Sequence, residues 1–188
     1  MKAYCITLDR HSTERALAAI KQIQRLGFEV EFADGVNVKD MNLDDIAPLL
    51  STRAYFELKF GREVHEALSG LGSVGCYLAH LNLWRRCAAG TEPIAIFEDD
   101  VDFQNTSAES LPLILQEAEE NKFDILRLIY NPQIRGTQIS SSLSQVERGT
   151  GTSAYLITPQ AARVVAQNAL PIEMHCDHFL DFCPRSRS

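Results

Sequence analysis

The chain carries, at positions 94–101, the run Ile94-Ala95-Ile96-Phe97-Glu98-Asp99-Asp100-Val101. Four apolar residues, enough for a short strand, come directly before three adjacent carboxylates. Because neighbouring carboxylates repel one another, such a triplet is best tolerated where water or a cation compensates its charge. At the carboxyl end of a buried strand in an α/β sheet, the pattern indicates a hard divalent ion with oxygen ligands. A solvated turn after a strand is the simpler alternative, and the run alone leaves the two interpretations about equal.

The acidic run contains two overlapping registers. Glu98 and Asp100 point the same way in an extended chain, whereas Asp99 points to the other face. The segment Asp100-Val101-Asp102 is also a literal Asp-x-Asp. Since two carboxylates on one side can hold one ion and leave positions for phosphate oxygens, we predict Glu98 and Asp100 as metal ligands. The alternative pair, Asp100 and Asp102, is not excluded by the sequence.

Outward from this run, strand and helix patterns alternate along the whole chain. Strands are predicted at 3–8, 28–32, 94–98, 125–130 and 152–157, and helices at 12–26, 44–50, 73–88, 106–121 and 159–168. Pro112 implies a kink in the fourth helix or a later start. Residues 53–72 show no firm period and are predicted to be an insertion or loop, as are residues 133–144. The order predicts one α/β domain over residues 1–188, with a mostly parallel central sheet flanked by helices and opened by a right-handed βαβ unit.

Composition and net charge limit the classes of function that fit the chain. The 188 residues are 45% hydrophobic and 23% charged, with a formal net charge of −7. An acidic chain is a poor candidate for wrapping nucleic acid, but a small phosphorylated ligand bound through a metal remains compatible. No apolar run approaches the roughly 20 residues of a membrane span. Charged Asp9 and Arg10 follow the first strand too soon for a signal peptide.

Five cysteines are scattered without a Cys-x-x-Cys pair, namely Cys5, Cys76, Cys87, Cys176 and Cys183. Reduced core thiols in a cytoplasmic protein are the simplest interpretation. The run His175-Cys176-Asp177-His178, with Cys183 nearby, is a weaker candidate for zinc. It is too compact for all of its side chains to converge on one ion.

The acidic run resembles the Glu-Asp-Asp motif of glycosyltransferase family 25, the lipopolysaccharide-biosynthesis galactosyltransferases related to collagen galactosyltransferases. Further segments resemble the family's other motifs in the same order: residues 8–10 with Arg15, 32–35, 75–80 with Trp84, 123–126, 151–157, and Pro171 with Asp177. Ala79 stands where the family tends to have serine, and Ser73 where an acidic residue is common. The chain also ends soon after Asp177, where relatives continue, so we expect a short C-terminus and activity that is less certain than the fold.

The resemblance implies a GT-A-like fold, a UDP-sugar donor and a manganese-type ion, with magnesium as the alternative, at the acidic motif. It implies that Glu98 and Asp99 also bind the nucleotide-sugar, and that Arg10 and Arg15 meet uracil, ribose or phosphate. An exposed charge at a helix start is an equally good explanation for each arginine. For His80, the resemblance makes a role near the acceptor or in holding the acidic loop as plausible as that of an ordinary helix residue.

Asp177, or neighbouring Asp181, is the predicted general base that accepts the proton of an attacking hydroxyl. The expected reaction transfers a hexose, with galactose as the favoured sugar, from a UDP-hexose to a saccharide acceptor with inversion. The acceptor is expected to be a lipopolysaccharide, a lipooligosaccharide or another saccharide. We expect a cytoplasmic location, with Arg185 and Arg187 available for peripheral contact with the inner face of the membrane.

Two other functions fit parts of the sequence. The first is a truncated, non-catalytic protein that binds a nucleotide-sugar or saccharide. The second is a metal-dependent phosphohydrolase, which would need further ligands such as Asp9 and Asp34 at the ends of other strands.

Overall fold

The computed structural model describes residues 1–8, 14–38, 41–61, 68–103, 108–129, 136–146, 149 and 151–182. A five-stranded sheet forms the centre. Its strands are β1 (Lys2–Thr7), β2 (Glu29–Asp34), β3 (Ile94–Glu98), β4 (Ile125–Arg127) and β7 (Ala154–Ile157). They lie side by side in the order β2-β1-β3-β7-β4. β1 pairs in parallel with β2 and β3, whereas β7 is antiparallel to both β3 and β4. The predicted α/β class is confirmed, and the sheet is mixed because β7 is inserted in the reverse direction.

The opening βαβ unit has the predicted form. Helix α1 (Glu14–Arg25) connects the parallel strands β1 and β2 and buries Ala16, Ala19 and Ile23. The chain leaves the helix at Gly27, whose φ of 90° lies in the left-handed region that glycine adopts without strain. Periodicity and the terminal glycine therefore place this helix from sequence alone.

The remaining helices are α2 (Leu43–Ile46), a 3₁₀ turn (Ala47–Leu49), α3 (Thr52–Phe60), α4 (Leu71–Ala88), α5 (Leu111–Glu120), α6 (Pro159–Asn168) and α7 (Cys176–Phe182). Helix α3 corrects the prediction of an insertion or loop after residue 53. The Ser51 side chain accepts a hydrogen bond from Ala54 N at its start, and Gly61 ends it in a left-handed conformation. Both are ordinary capping signals, and the mixed aromatic and charged composition obscured them.

One open alternative is decided, and two further segments differ from the prediction. Helix α5 takes the later of the two predicted starts, because Pro112 lies in its first turn where a missing donor is harmless. The predicted loop at 133–144 contains one strand of a small antiparallel pair, β5 (Thr137–Gln138) with β6 (Ser144–Gln145). Helix α7 lies where no element was predicted.

Side chains alternate along the central strands into two separate cores. On one face Tyr4, Ile96 and Tyr155 pack against α4 and α6. On the other face Cys5 and Phe97, with their neighbours, pack against α1 and α5. By this alternation Glu98 continues the row that faces α4, and Asp99 turns toward α1.

Helix α4 approaches the segment after β2 closely. It packs against α6 and α7, and a Cβ atom at Gly75 would collide with the backbone carbonyl of Val36. A glycine is therefore required for this approach. Among the described helices, none combines the length and hydrophobicity that a membrane span requires.

Candidate functional site

Glu98 ends β3 on the side of the sheet that α4 covers. Its Oε1 atom accepts a hydrogen bond of 2.6 Å from the Thr152 hydroxyl and lies 3.2 Å from Nε2 of His80. His80 is fully buried on α4, and Thr152 is buried just before β7. Two elements distant in sequence thus converge on one carboxylate oxygen.

A buried chain of hydrogen bonds continues behind His80. Its Nδ1 atom lies 2.9 Å from the Tyr155 hydroxyl, which accepts a 2.7 Å hydrogen bond from Nε1 of Trp84. Since an ionised carboxylate only accepts, Nε2 of His80 carries the proton that faces Glu98. Nδ1 then accepts from Tyr155 when the imidazole is neutral and donates to it when the imidazole is charged. The ring is fixed in either state.

The pKa values of the two partners move in opposite directions. Burial alone raises the pKa of Glu98, but the hydrogen bond and charge of His80 and the hydroxyl of Thr152 outweigh it, so the net pKa is lowered. Burial alone lowers the pKa of His80, but nearby Cys176 and Glu98 raise it overall. The protein therefore stabilises the charged form of Glu98 from the α4 side.

Asp99 is held on the opposite face. The buried Thr7 hydroxyl donates a 2.7 Å hydrogen bond to Oδ2 of Asp99, and an Nη atom of Arg15 lies 2.7 Å from its Oδ1. Arg15 keeps 64% of its side chain exposed while forming this pair. Its predicted contact with a nucleotide stays a prediction, and Arg10 lies outside the described residues.

Asp100 differs from both neighbours because it is exposed. Partial burial and the charge of Glu98 raise the pKa of its carboxyl group, against the weaker opposing effects of its own backbone and of Arg15. Among the described residues, no cation forms a salt bridge with it. An exposed carboxylate that lies close to a second carboxylate is chemically suited to a divalent ion.

The segment after the acidic run is tied to α1, a connection that the sequence did not reveal. Gln22 accepts a 2.7 Å hydrogen bond from Phe103 N and donates a longer one to the Val101 carbonyl. Arg25 donates a 2.6 Å hydrogen bond to the Phe103 carbonyl. The main chain beyond Asp100 is consequently fixed on both sides of Asp102.

Helix α7 begins beside the acidic run. The Sγ atom of Cys176 lies 3.4 Å from the Thr152 hydroxyl, which donates to Glu98, and Asp177 is the next residue. Its carboxylate accepts hydrogen bonds from the backbone nitrogens of Gly151 and His178, at 3.0 and 2.9 Å. Burial raises the pKa of Asp177, but these bonds and the nearby histidines lower it overall. Asp177 is therefore ionised at neutral pH.

The carboxylate of Asp181, the other candidate base, already has protein partners at both oxygens. It lies 2.9 Å from an Nη atom of Arg127, with both side chains about nine-tenths buried, and accepts a 2.9 Å hydrogen bond from Gly149 N. Asp181 is thus held by a cation and a backbone nitrogen, whereas the hydrogen bonds to Asp177 come from backbone nitrogens.

Residues 1–180 match the family described as "Glycosyltransferase family 25 (LPS biosynthesis protein)". The chain belongs to glycosyltransferase family 25. A "Glycosyltransferase 25 family member" of Anopheles gambiae is 29% identical over 105 residues, which cover 54% of this chain and 17% of the relative. The human "Inactive glycosyltransferase 25 family member 3" is 27% identical over 176 residues, which cover 89% of this chain and 28% of the relative. The matched regions span less than a third of either relative.

The fold also resembles that of a solved apo UDP-glucose pyrophosphorylase, with a TM-score of 0.51 at 13% identity, covering 96% of this chain and 86% of that one. At this identity the similarity concerns the fold alone. It agrees with the predicted GT-A-like arrangement of a central sheet between helical layers.

In this member of family 25, the four described cysteines are free thiols, and three of them are buried, as predicted. Cys176 does not join a local cluster with His175, Asp177 and His178; its Sγ atom lies 3.7 Å from Sγ of Cys76 on α4. The hydrogen bond from Cys76 lowers the pKa of the Cys176 thiol, although burial opposes this. Cys183 lies outside the described residues.

The structure therefore brings His80, Glu98 and Asp177 to one end of the sheet, while Thr152 and Tyr155 join them without having been predicted. A threonine before a strand and a tyrosine within it are common in any core, so neither carried a signal of its own. For His80, full burial favours the second of its two predicted roles, holding the acidic loop.

Proposed function

We propose that this chain is the donor-binding domain of a glycosyltransferase. The enzyme would transfer a hexose, with galactose as the favoured sugar, from a UDP-sugar to a lipopolysaccharide or other saccharide acceptor with inversion. The observation that carries the proposal is Asp100, an exposed carboxylate of raised pKa beside Glu98 at the carboxyl edge of β3. Family membership supports the reaction class. A cytoplasmic location, at the inner face of the membrane, is part of the proposal.

The residues present fit a divalent ion, manganese or magnesium. Asp100 offers an exposed carboxylate, and Glu98 uses Oε1 for His80 and Thr152, which leaves Oε2 for a ligand. Oxygen donors of this kind suit hard cations. When bound, the ion would neutralise the negative charge of the departing diphosphate.

The chain's own residues position these carboxylates. His80 and Thr152 fix Glu98, and Thr7 and Arg15 fix Asp99. Hydrogen bonds from α1 hold the main chain at residues 101 and 103, so the backbone is restrained on both sides of Asp100. Groups that are already held in place before the reaction lower the entropic part of its barrier, which is a large part of catalysis in transfer reactions. Arg10 and Arg15 are proposed to meet the nucleotide.

Asp177 is the proposed base. It is ionised at neutral pH, so it can accept the proton of the acceptor hydroxyl as that oxygen attacks the anomeric carbon. Its lowered pKa makes it a weak base, which suits a step in which the proton leaves only as the new bond forms.

A second candidate is a domain that binds a nucleotide-sugar without turnover. The human relative that shares 27% identity over most of this chain is named inactive, which favours this alternative. Holding a donor requires only the metal and nucleotide contacts, whereas transfer also requires a base and an acceptor site.

The deciding experiment follows UDP release from UDP-galactose in the presence of Mn²⁺, with and without a saccharide acceptor, in wild type and Asp177→Asn. Acceptor-dependent UDP release that Asp177→Asn lowers by at least about 100-fold supports transfer, since general bases contribute about 10²–10⁴-fold. Donor binding without release would support the binding protein. Release of UMP or phosphate without an acceptor would overturn both in favour of hydrolysis.

A further inference from the structure

Three potential metal-binding side chains lie together behind the acidic run. Cys76 and His80 are four residues apart on α4, so they share one face of the helix. Cys176 begins α7 and faces them, and one ligand atom from each residue lies within 4.8 Å of the others. We propose that Cys76, His80 and Cys176 form a zinc site that joins α7 to α4.

The separation of the two sulfurs fits a shared metal. A disulfide requires about 2.05 Å between sulfurs, whereas the Sγ atoms of Cys76 and Cys176 are 3.7 Å apart. Two thiolates bound to one tetrahedral zinc at about 2.3 Å lie roughly 3.8 Å from each other. Two thiols that share a proton also reach this separation, so the third donor, His80, is what distinguishes a metal site.

The donor chemistry separates this cluster from the acidic run. Two sulfurs and an imidazole prefer zinc, whereas manganese and magnesium prefer carboxylate and water oxygens. A zinc ion here would therefore not compete with the hard ion proposed at Asp100. The inference stands independently of nucleotide binding or transfer.

The surroundings of His80 suit a metal-binding histidine. Such a ring is normally oriented by a hydrogen bond at its other nitrogen, and Tyr155 provides one at Nδ1 with a separation of 2.9 Å. Nε2 makes the longer contact, 3.2 Å to Glu98, which it would give up to bind the ion.

Access and burial are consistent with a structural ion. His80 and Cys176 are buried, whereas Cys76 is half-buried. Cys76 and Cys176 are 100 positions apart, so one ion would fix two distant segments. Binding to a site that the unfolded chain lacks stabilises the fold.

The test uses reduced, chelator-stripped protein titrated with Co²⁺ alone, without nucleotide. We expect one equivalent of Co²⁺ to give tetrahedral visible bands and thiolate-to-cobalt charge-transfer absorption, and one equivalent of Zn²⁺ to remove both. Cys76→Ser and Cys176→Ser should each weaken binding at least about 100-fold, because even outer partners of metal ligands are worth about 10–100-fold.

Two controls accompany these variants. Cys87→Ser removes another buried thiol of α4, which contacts the Ile157 carbonyl, and should leave the cobalt spectrum unchanged. Asp100→Ala should also leave it unchanged, which separates this site from the acidic run. The proposal is overturned if wild type shows no thiolate-to-cobalt band, or if the band persists in both Cys76→Ser and Cys176→Ser.

A second measurement keeps the proposal testable if the serine variants fail to fold. Wild-type protein is alkylated with and without one equivalent of Zn²⁺, and each cysteine is followed by mass spectrometry. Zinc should slow the modification of Cys76 and Cys176 and leave that of Cys5 and Cys87 unchanged. Equal rates at Cys76 with and without zinc would contradict the site.

Discussion

Glu98 and Asp100 lie two residues apart in the same acidic run, and the fold surrounds them in opposite ways. Glu98 receives His80 and Thr152 on the α4 side, and its pKa is lowered. Asp100 is exposed, no salt bridge to it occurs within the described ranges, and its pKa is raised. Two carboxylates of one run therefore differ in environment: the protein holds Glu98 by hydrogen bonds, and we propose that Asp100 is left to a ligand.

The largest expected effect comes from removing the partner of Glu98. His80→Ala leaves a cavity among buried aromatic residues and deprives the carboxylate of a donor. It should lower the free energy of unfolding by about 3 kcal/mol, measured by urea denaturation with EDTA present. A loss within 0.5 kcal/mol, roughly that of a typical surface substitution, would show that Glu98 does not depend on this contact.

Next in size is the close approach of α4 to the segment after β2. Gly75→Ala brings a methyl group against the Val36 carbonyl and should cost about 2 kcal/mol of stability by the same assay. Gly72→Ala is the matched control, because nothing lies within 4 Å of its Cβ position on the same helix. It should be neutral or stabilising by up to about 1 kcal/mol. Equal effects of the two variants would contradict the close approach.

A smaller effect is expected at Thr152. Thr152→Val keeps the shape of the side chain and removes the 2.6 Å hydrogen bond to Glu98, which should cost about 1.5 kcal/mol. Thr152→Ser retains the hydroxyl and should recover most of this loss. If serine and valine destabilise equally, packing rather than the hydrogen bond explains the effect.

The smallest expected effect is a pH dependence. The lowered pKa of Glu98 contributes stability above its ordinary value of 4.5, and this is lost as the pH falls through the lowered pKa. The raised pKa of His80 contributes stability below 6.5, and this is lost as the pH rises through the raised pKa. The stability of wild type over His80→Gln should therefore peak between pH 4.5 and 6.5, and decline by about 1.4 kcal/mol per unit of pKa shift. A difference that grows steadily above pH 7 would contradict this sign.

Periodic and local signals in the sequence predicted much of this fold. The apolar spacing of α1 with Gly27, and the apolar run of β3 before Glu98, each carry their own signal. The direction of β7 does not, because a short apolar strand reads the same whether its neighbours are parallel or antiparallel. Helix α3 was missed although Ser51 and Gly61 are ordinary caps.

In the candidate site, too, some residues were predictable from local sequence and others were not. The acidic run was visible because its three carboxylates are adjacent, and so was His80 through the family motif. Cys176 was associated with its neighbours in sequence, whereas tertiary packing places it against Cys76, 100 positions away. Contacts of that separation have no local pattern, so Thr152 and Tyr155 also emerged only from the fold.

The central claim is that Asp100 is the carboxylate left for a ligand. It is tested most directly by calorimetric titration of UDP and UDP-galactose, with and without Mn²⁺, into wild type, Asp100→Ala and Asp102→Ala. Asp102 is the matched control, being an exposed aspartate of the overlapping register. We predict Mn²⁺-dependent binding in wild type and Asp102→Ala, weakened at least about tenfold in Asp100→Ala, or about 1.4 kcal/mol. Binding that is independent of Mn²⁺, or that Asp102→Ala abolishes while Asp100→Ala retains it, would contradict the account.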